Sequence, residues 1–151
     1  MLTRTLLDEL GLKSWLKTSG GKGLHVVVPI APRLNANRIK TFSQAIVQHL
    51  AQTIPSRFVA KSGADNRVGK IFVDYLRNGF GATTAAAFSA RARPGLGVSI
   101  PVSWEQLMEL AGGDMWTIET AHEYLSSQLS DPWLDYWKCR QGLSRAMKAI
   151  G

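Results

Sequence analysis

Cysteine is almost missing from this 151-residue chain: Cys139 is the only one, so no disulfide can close within it. Histidine is sparse as well. His25, His49 and His122 stand far from one another and from Cys139, which excludes a zinc-type ligand spacing. No apolar run approaches the ~20 residues that a membrane-crossing helix needs. The opening residues Met1 to Thr5 lack the hydrophobic stretch and small-residue cleavage site of an export signal, so no membrane role is expected. Internal repeats, low-complexity tracts and a clear interdomain linker are also missing. With 45% apolar and 19% charged residues, one globular domain over 1–151 is expected.

Acids are the last scarcity, at 11 against 18 Lys and Arg for a net charge of +7, and the imbalance is local. Residues 57–93 carry seven Lys or Arg against two Asp, whereas residues 99–131 carry six acids and no base. A concentrated basic stretch points to nucleotides or nucleic acid, although a merely solvated charged face has the same composition.

The stretch richest in chemistry is Ser19-Gly20-Gly21-Lys22-Gly23-Leu24-His25, which leads into Val26-Val27-Val28-Pro29-Ile30. Its glycines allow positive φ and close approach of the bare backbone, while Ser19, Lys22 and His25 surround that backbone with a hydroxyl, an ammonium and an imidazole. Such a turn suits a phosphate; a solvent-facing hairpin turn would use the same glycines. It is not a Walker-type loop, because Lys22 is followed by Gly23 rather than by Ser or Thr. Alternation along the following strand groups His25 with Val27 and turns the imidazole away from the expected core.

Around this turn the pattern reads as a helix over 3–10, strands over 14–18 and 24–30, and a helix capped by Asn35 or Asn37 with Ile39, Phe42, Ile46 and Leu50 on one face. Further strands are expected over 57–60, 70–76 and 98–102. Ser103 and Gln106 have the capping-box spacing for a helix to Ala111; others are expected from Thr117 to Gln128 and from Asp131-Pro132 onward. Trp104, Trp116, Trp133, Tyr136 and Trp137 are expected to seal these helices onto the sheet. The mixture is α+β (α/β mixed).

Two features of the basic stretch stand out. Asp74 falls in mid-strand between apolar neighbours, where a carboxylate needs either a cation such as Arg77 or a metal ion. Arg91 and Arg93, two residues apart, project from one face of an extended segment and can clamp a polyphosphate; they can equally guard a sheet edge.

Taken together, Ser19 to His25, Ile71-Phe72-Val73-Asp74-Tyr75-Leu76-Arg77-Asn78 and Ala90-Arg91-Ala92-Arg93-Pro94-Gly95 resemble the polymerase domain of the bacterial end-joining ligase D. This is an archaeo-eukaryotic primase type of fold, and the likeness extends to Asp131-Pro132-Trp133. The resemblance implies an RRM-like, mainly antiparallel sheet packed with helices. It also implies a DNA-repair enzyme that adds nucleotides to DNA ends with Mn2+ or Mg2+ in the bacterial cytoplasm.

By the same resemblance Ser19, Gly20, Gly21, Lys22 and His25 would hold the phosphates of a nucleoside triphosphate, with His25 in a catalytic role. Asp74 would be a catalytic metal ligand. Arg67, Arg77, Arg91 and Arg93 would contact the triphosphate or the nucleic acid, and Lys61 the nucleic acid. The family's first motif, two carboxylates one residue apart on an upstream strand, has no counterpart here, since Asp8-Glu9 are adjacent and helical. The chain therefore reads as the C-terminal portion of such a domain, catalytically incomplete alone. Its uncovered sheet edge would pair with an N-terminal half of the domain or with a second copy of the chain, or else the chain would serve as a non-catalytic nucleotide- or nucleic-acid-binding module.

Overall fold

A computed structural model describes all residues, 1–151. The chain folds into two compact units, one formed by residues 1–30 with 85–141, the other by residues 31–84 with 142–151. The architecture is mixed α/β with an antiparallel sheet and four helices.

In the first unit, α1 (Leu2–Glu9) precedes the hairpin β1 (Trp15–Thr18) and β2 (Leu24–Val27). β5 (Pro101–Val102) pairs with the other side of β1, so β1 is central and β2 and β5 flank it, all antiparallel. The hairpin register sets Lys17 opposite His25 and Thr18 opposite Leu24. Leu16 packs with Val98, Ile100, Val102, Trp104, Trp116 and Ala121 into the core of this unit. Trp104 and Trp133 also donate indole N–H bonds of 2.9 Å to the carbonyls of Ser14 and Leu16, so both tryptophans seal β1 as expected.

Several elements differ from the sequence pattern. The capping box at Ser103 is present, with Ser103 N donating to Gln106 Oε1 and Gln106 N to Ser103 Oγ, but it opens a short 3-10 helix over Glu105–Glu109. The next helix, α3 (Ala121–Ser127), starts after Thr120, later than Thr117. Asp131 caps only a series of turns, with Trp133 N donating to its Oδ1, and Trp137 is 83% exposed and takes no part in the core. The strand expected over 98–102 is broken up: Gly97 and Val98 make single bridges to Thr117 and Ala90, and only Pro101–Val102 joins the ladder.

The second unit is built on α2 (Ala36–Thr53), whose first turn is capped by Asn35 Oδ1 accepting from Arg38 N at 3.0 Å. Phe42, Ile46, Val47 and Leu50 form its buried face. β3 (Phe58–Val59) and β4 (Ile71–Phe72) make a short parallel pair, and α2 packs on β3, on the 3-10 turn Leu76–Asn78 and on α4 (Ser144–Ile150). No strand continues through 73–76, because Asp74 Oδ1 accepts the N–H of Leu76 at 2.8 Å and turns the chain. A short polar side chain that captures a backbone amide two residues on competes directly with the ladder.

Candidate phosphate-binding site

Ser19 closes the glycine turn from inside. Its hydroxyl, 4% exposed, accepts the N–H of Gly21 at 3.1 Å and of Gly23 at 3.3 Å, and its own N–H donates to Gly23 O at 3.1 Å. Gly20 N donates to Gly113 O at 2.9 Å. The amides of Ser19, Gly20, Gly21 and Gly23 are thus engaged within the protein rather than turned to an anion.

Glycine is required here on three separate segments. Gly20 has φ +68°, and a Cβ on it would lie 2.6 Å from Gly97 O. A Cβ on Gly97 would lie 2.6 Å from Gly20 O, and one on Gly113 would overlap the carbonyl oxygens of Gly21 and Gly23. The turn is thus clasped backbone to backbone by Gly97 and Gly113, a closeness only residues without side chains permit.

That clasp delivers the arginines. Arg91 N donates to Gly97 O at 2.9 Å and Arg93 N to Arg91 O at 2.8 Å, a tight bend rather than the extended segment expected. The bend still aims both guanidiniums the same way: a Cβ built on Gly21 would lie 3.1 Å from Arg91 Nη1 and 3.4 Å from Arg93 Nη1. Lys22 is exposed at the tip. The ion pairs of the chain, Arg4–Asp8, Arg4–Glu105 and Lys138–Asp135, lie elsewhere, and none of them involves Lys22, Arg91 or Arg93.

Beneath the turn lies a residue that the sequence reading missed. Lys17 is 5% exposed, and its Nζ lies 2.9 Å from His25 Nδ1, 2.6 Å from Ala85 O and 2.8 Å from Ser99 Oγ. Burial, and then repulsion from Arg91, lower its pKa from 10.5 to about 8. The covered face of β2 is therefore the one bearing His25 and Val27, while Leu24 and Val26 are 36% and 38% exposed; the imidazole faces inward, contrary to the expectation from alternation. The available signal was register: the turn's symmetry places position 17 across from position 25.

The remaining residues singled out from the sequence belong to the second unit. Asp74 is exposed rather than buried in mid-strand, and it pairs with neither Arg77 nor any other cation. Lys61, Arg67 and Arg77 are exposed, with the Arg67 guanidinium 4.6 Å from the centroid of the Phe72 ring. Nowhere do three or more His, Cys, Asp or Glu side chains come together as a metal ion would require. The donor set of this chain does not fit a two-metal centre, since a pair of divalent ions needs several carboxylates to hold it.

The fold and the sequence have known counterparts. In overall fold the chain is similar to the polymerase domain of Mycobacterium tuberculosis ligase D, solved in complex with DNA, with a TM-score of 0.72 and 28% identity over 83% of this chain and 44% of that one. Residues 1–133 match the LigD primase-polymerase domain family. The chain is 54% identical over 148 residues to the multifunctional non-homologous end joining protein LigD of Pseudomonas aeruginosa, and 32% identical over 106 residues to that of Mycolicibacterium smegmatis. These matches cover 97% and 70% of this chain but only 18% and 14% of those proteins, so it spans less than a fifth of the length of these two relatives. The chain belongs to the LigD primase-polymerase domain family. No helix in it is long and apolar enough to cross a membrane.

Proposed function

We propose that this chain forms the nucleotide-binding part of a DNA-end polymerase of non-homologous end joining, acting in the bacterial cytoplasm, with the triphosphate held at the glycine turn. The observation that carries this reading is the placement of the Arg91 and Arg93 guanidiniums over Gly21, next to Lys22 in the chain, with none of the three cations held in an ion pair. Guanidiniums match the planar, multidentate geometry of phosphate oxygens, and charge-assisted bonds to such oxygens are among the stronger ones available. Ser19 sets the turn, and Gly20 and Gly21 let the cations close on it. His25 lines the same hairpin. Lys61, Arg67 and Arg77 are exposed cations of the second unit, suited to a DNA backbone. The similar domain solved in complex with DNA supports DNA as the partner.

Nucleotide addition needs Mn2+ or Mg2+, and Asp74 is the one carboxylate this chain offers in the family's position for that role. Because no three metal-donor side chains meet, we infer that the chain binds nucleotide and DNA ends but does not extend a primer unless further carboxylates are supplied. β2 is the outer strand of its sheet, with Leu24 and Val26 exposed, and a polypeptide segment carrying those carboxylates would pair there. Titration of a fluorescent nucleoside triphosphate without metal tests the central claim. Saturable binding that falls at least tenfold in Arg91→Ala supports it; equal affinity of the two chains removes it.

A further inference from the structure

Lys17 is too deeply placed to meet a substrate and too well bonded to be incidental. Its Nζ is ringed by three groups: Ala85 O, which can only accept; Ser99 Oγ, whose single proton is committed to Thr18 O at 2.7 Å; and Nδ1 of His25. An ammonium has three protons for three acceptors. Ala85 O and Ser99 Oγ each take one, so the third points at Nδ1, which must then offer its lone pair. An imidazolium would turn an N–H toward that ammonium, so an ammonium here calls for a neutral ring. Building on the triphosphate reading above, we propose that Lys17 is a positioning residue: as an ammonium it fixes His25 in the tautomer that carries its proton on Nε2.

The consequence is chemical. A neutral imidazole with its proton on Nε2 donates there, as a phosphoryl oxygen requires, and its orientation is set before any nucleotide arrives. The competing arrangements have an uncharged Lys17 amine that donates to Ala85 O and Ser99 Oγ and accepts from Nδ1–H, the ring being either the neutral Nδ1–H tautomer or an imidazolium. Both alternatives remove a proton from Lys17 and protonate Nδ1, which the proposed arrangement leaves bare. A pKa of about 8 leaves the ammonium dominant at pH 7. The titratable groups facing Nζ are His25 on β2 and, by repulsion, Arg91; no acid shares the cluster.

Two-bond 15N–1H correlation spectra of the 15N-labelled chain at pH 7 test this directly. The expected result is an unprotonated Nδ1 and a protonated Nε2 on His25, changing to a mixed-tautomer pattern in Lys17→Met. A parent ring protonated on Nδ1, or a tautomer unmoved by Lys17→Met, overturns the proposal. Should Lys17→Met fail to fold, the alkaline titration of the parent chain decides instead: the His25 Nδ1 signal must move in step with the Lys17 Nζ signal, and independent titration overturns the role. Nucleoside triphosphate titration runs in parallel, with affinity in Lys17→Met expected to drop about tenfold. A parent chain that binds no triphosphate sinks the nucleotide reading, while the ring spectra still decide the part played by Lys17.

Discussion

Lys17 and His25 face each other directly across the β1–β2 ladder, with Nζ 2.9 Å from Nδ1, and the same ammonium reaches Ser99 just before β5 and Ala85 on the return segment. One buried cation therefore links the glycine hairpin to two points of the stretch 85–141 that completes its unit.

Alkaline pH should act on this cation in two opposite ways. The folded state holds the Lys17 proton less tightly than the unfolded chain does, so between about pH 8 and pH 10.5 the unfolded chain binds more protons and stability rises with pH. The burial penalty is present in full below pH 8 and is relieved across that window. Thermal melts at pH 7.5 and 9.5 should show the parent gaining on Lys17→Met, while triphosphate affinity of the parent falls over the same interval.

Removing either guanidinium from the turn should weaken phosphate binding without loosening the fold. Arg91→Ala and Arg93→Ala each delete a charge-assisted contact worth about 1.5–3 kcal/mol, or roughly 10- to 150-fold in affinity. Calorimetry with a nucleoside triphosphate checks the size, and both variants should bind with a shallower dependence on salt.

Glycine 113 should behave as a core position. Gly113→Ala forces a methyl group onto the carbonyls of Gly21 and Gly23, and the backbone shift that follows is expected to cost about 1–3 kcal/mol. Gly112→Ala, whose new carbon would meet only Asp114 Oδ1 at 3.2 Å, is the milder neighbour. Urea titration of the two variants should separate them clearly.

Asp74 supplies a contrasting case. Asp74→Asn keeps an oxygen for the Leu76 amide and should leave thermal stability nearly unchanged, whereas Asp74→Ala loses that turn bond and about 1 kcal/mol. Mn2+ titration of the isolated chain should show no tight site in any of the three proteins, since only one carboxylate is on offer there.

The sequence was most legible where local chemistry decides structure. The Asn35 cap and the Phe42, Ile46 and Leu50 stripe defined α2, and the run of glycines defined the hairpin, because each depends on neighbours in the chain. It misled at Asp74, where β-type neighbours suggested a strand but a side chain-to-backbone bond two residues on overrode them. Residues 131–137 looked helical from Asp131-Pro132, yet the bond from Trp133 N to Asp131 Oδ1 leads only into turns, and Trp137 faces outward. α4 was missed altogether, for its short run 144–150 buries only Ala146 and carries no capping bond. The candidate site followed the same division. Arg91 and Arg93 were recognisable as a pair, but the clasp that aims them needs Gly97 and Gly113, and the setting of Lys17 needs Ala85 and Ser99. Such long-range closures leave no trace in spacing.

The clasp also bears on the order in which this protein acquires its structure. Gly20 and Gly21 are made before the stretch from 31 to 84, whereas Arg91, Gly97 and Gly113 follow only after that whole stretch. Contacts across so large a loop form slowly, since its closure entropy must be met before they contribute. A nascent chain would thus carry a floppy, cation-poor hairpin, and pulse-labelled hydrogen exchange should find the amides of Gly20, Gly21 and Gly23 among the last to gain protection.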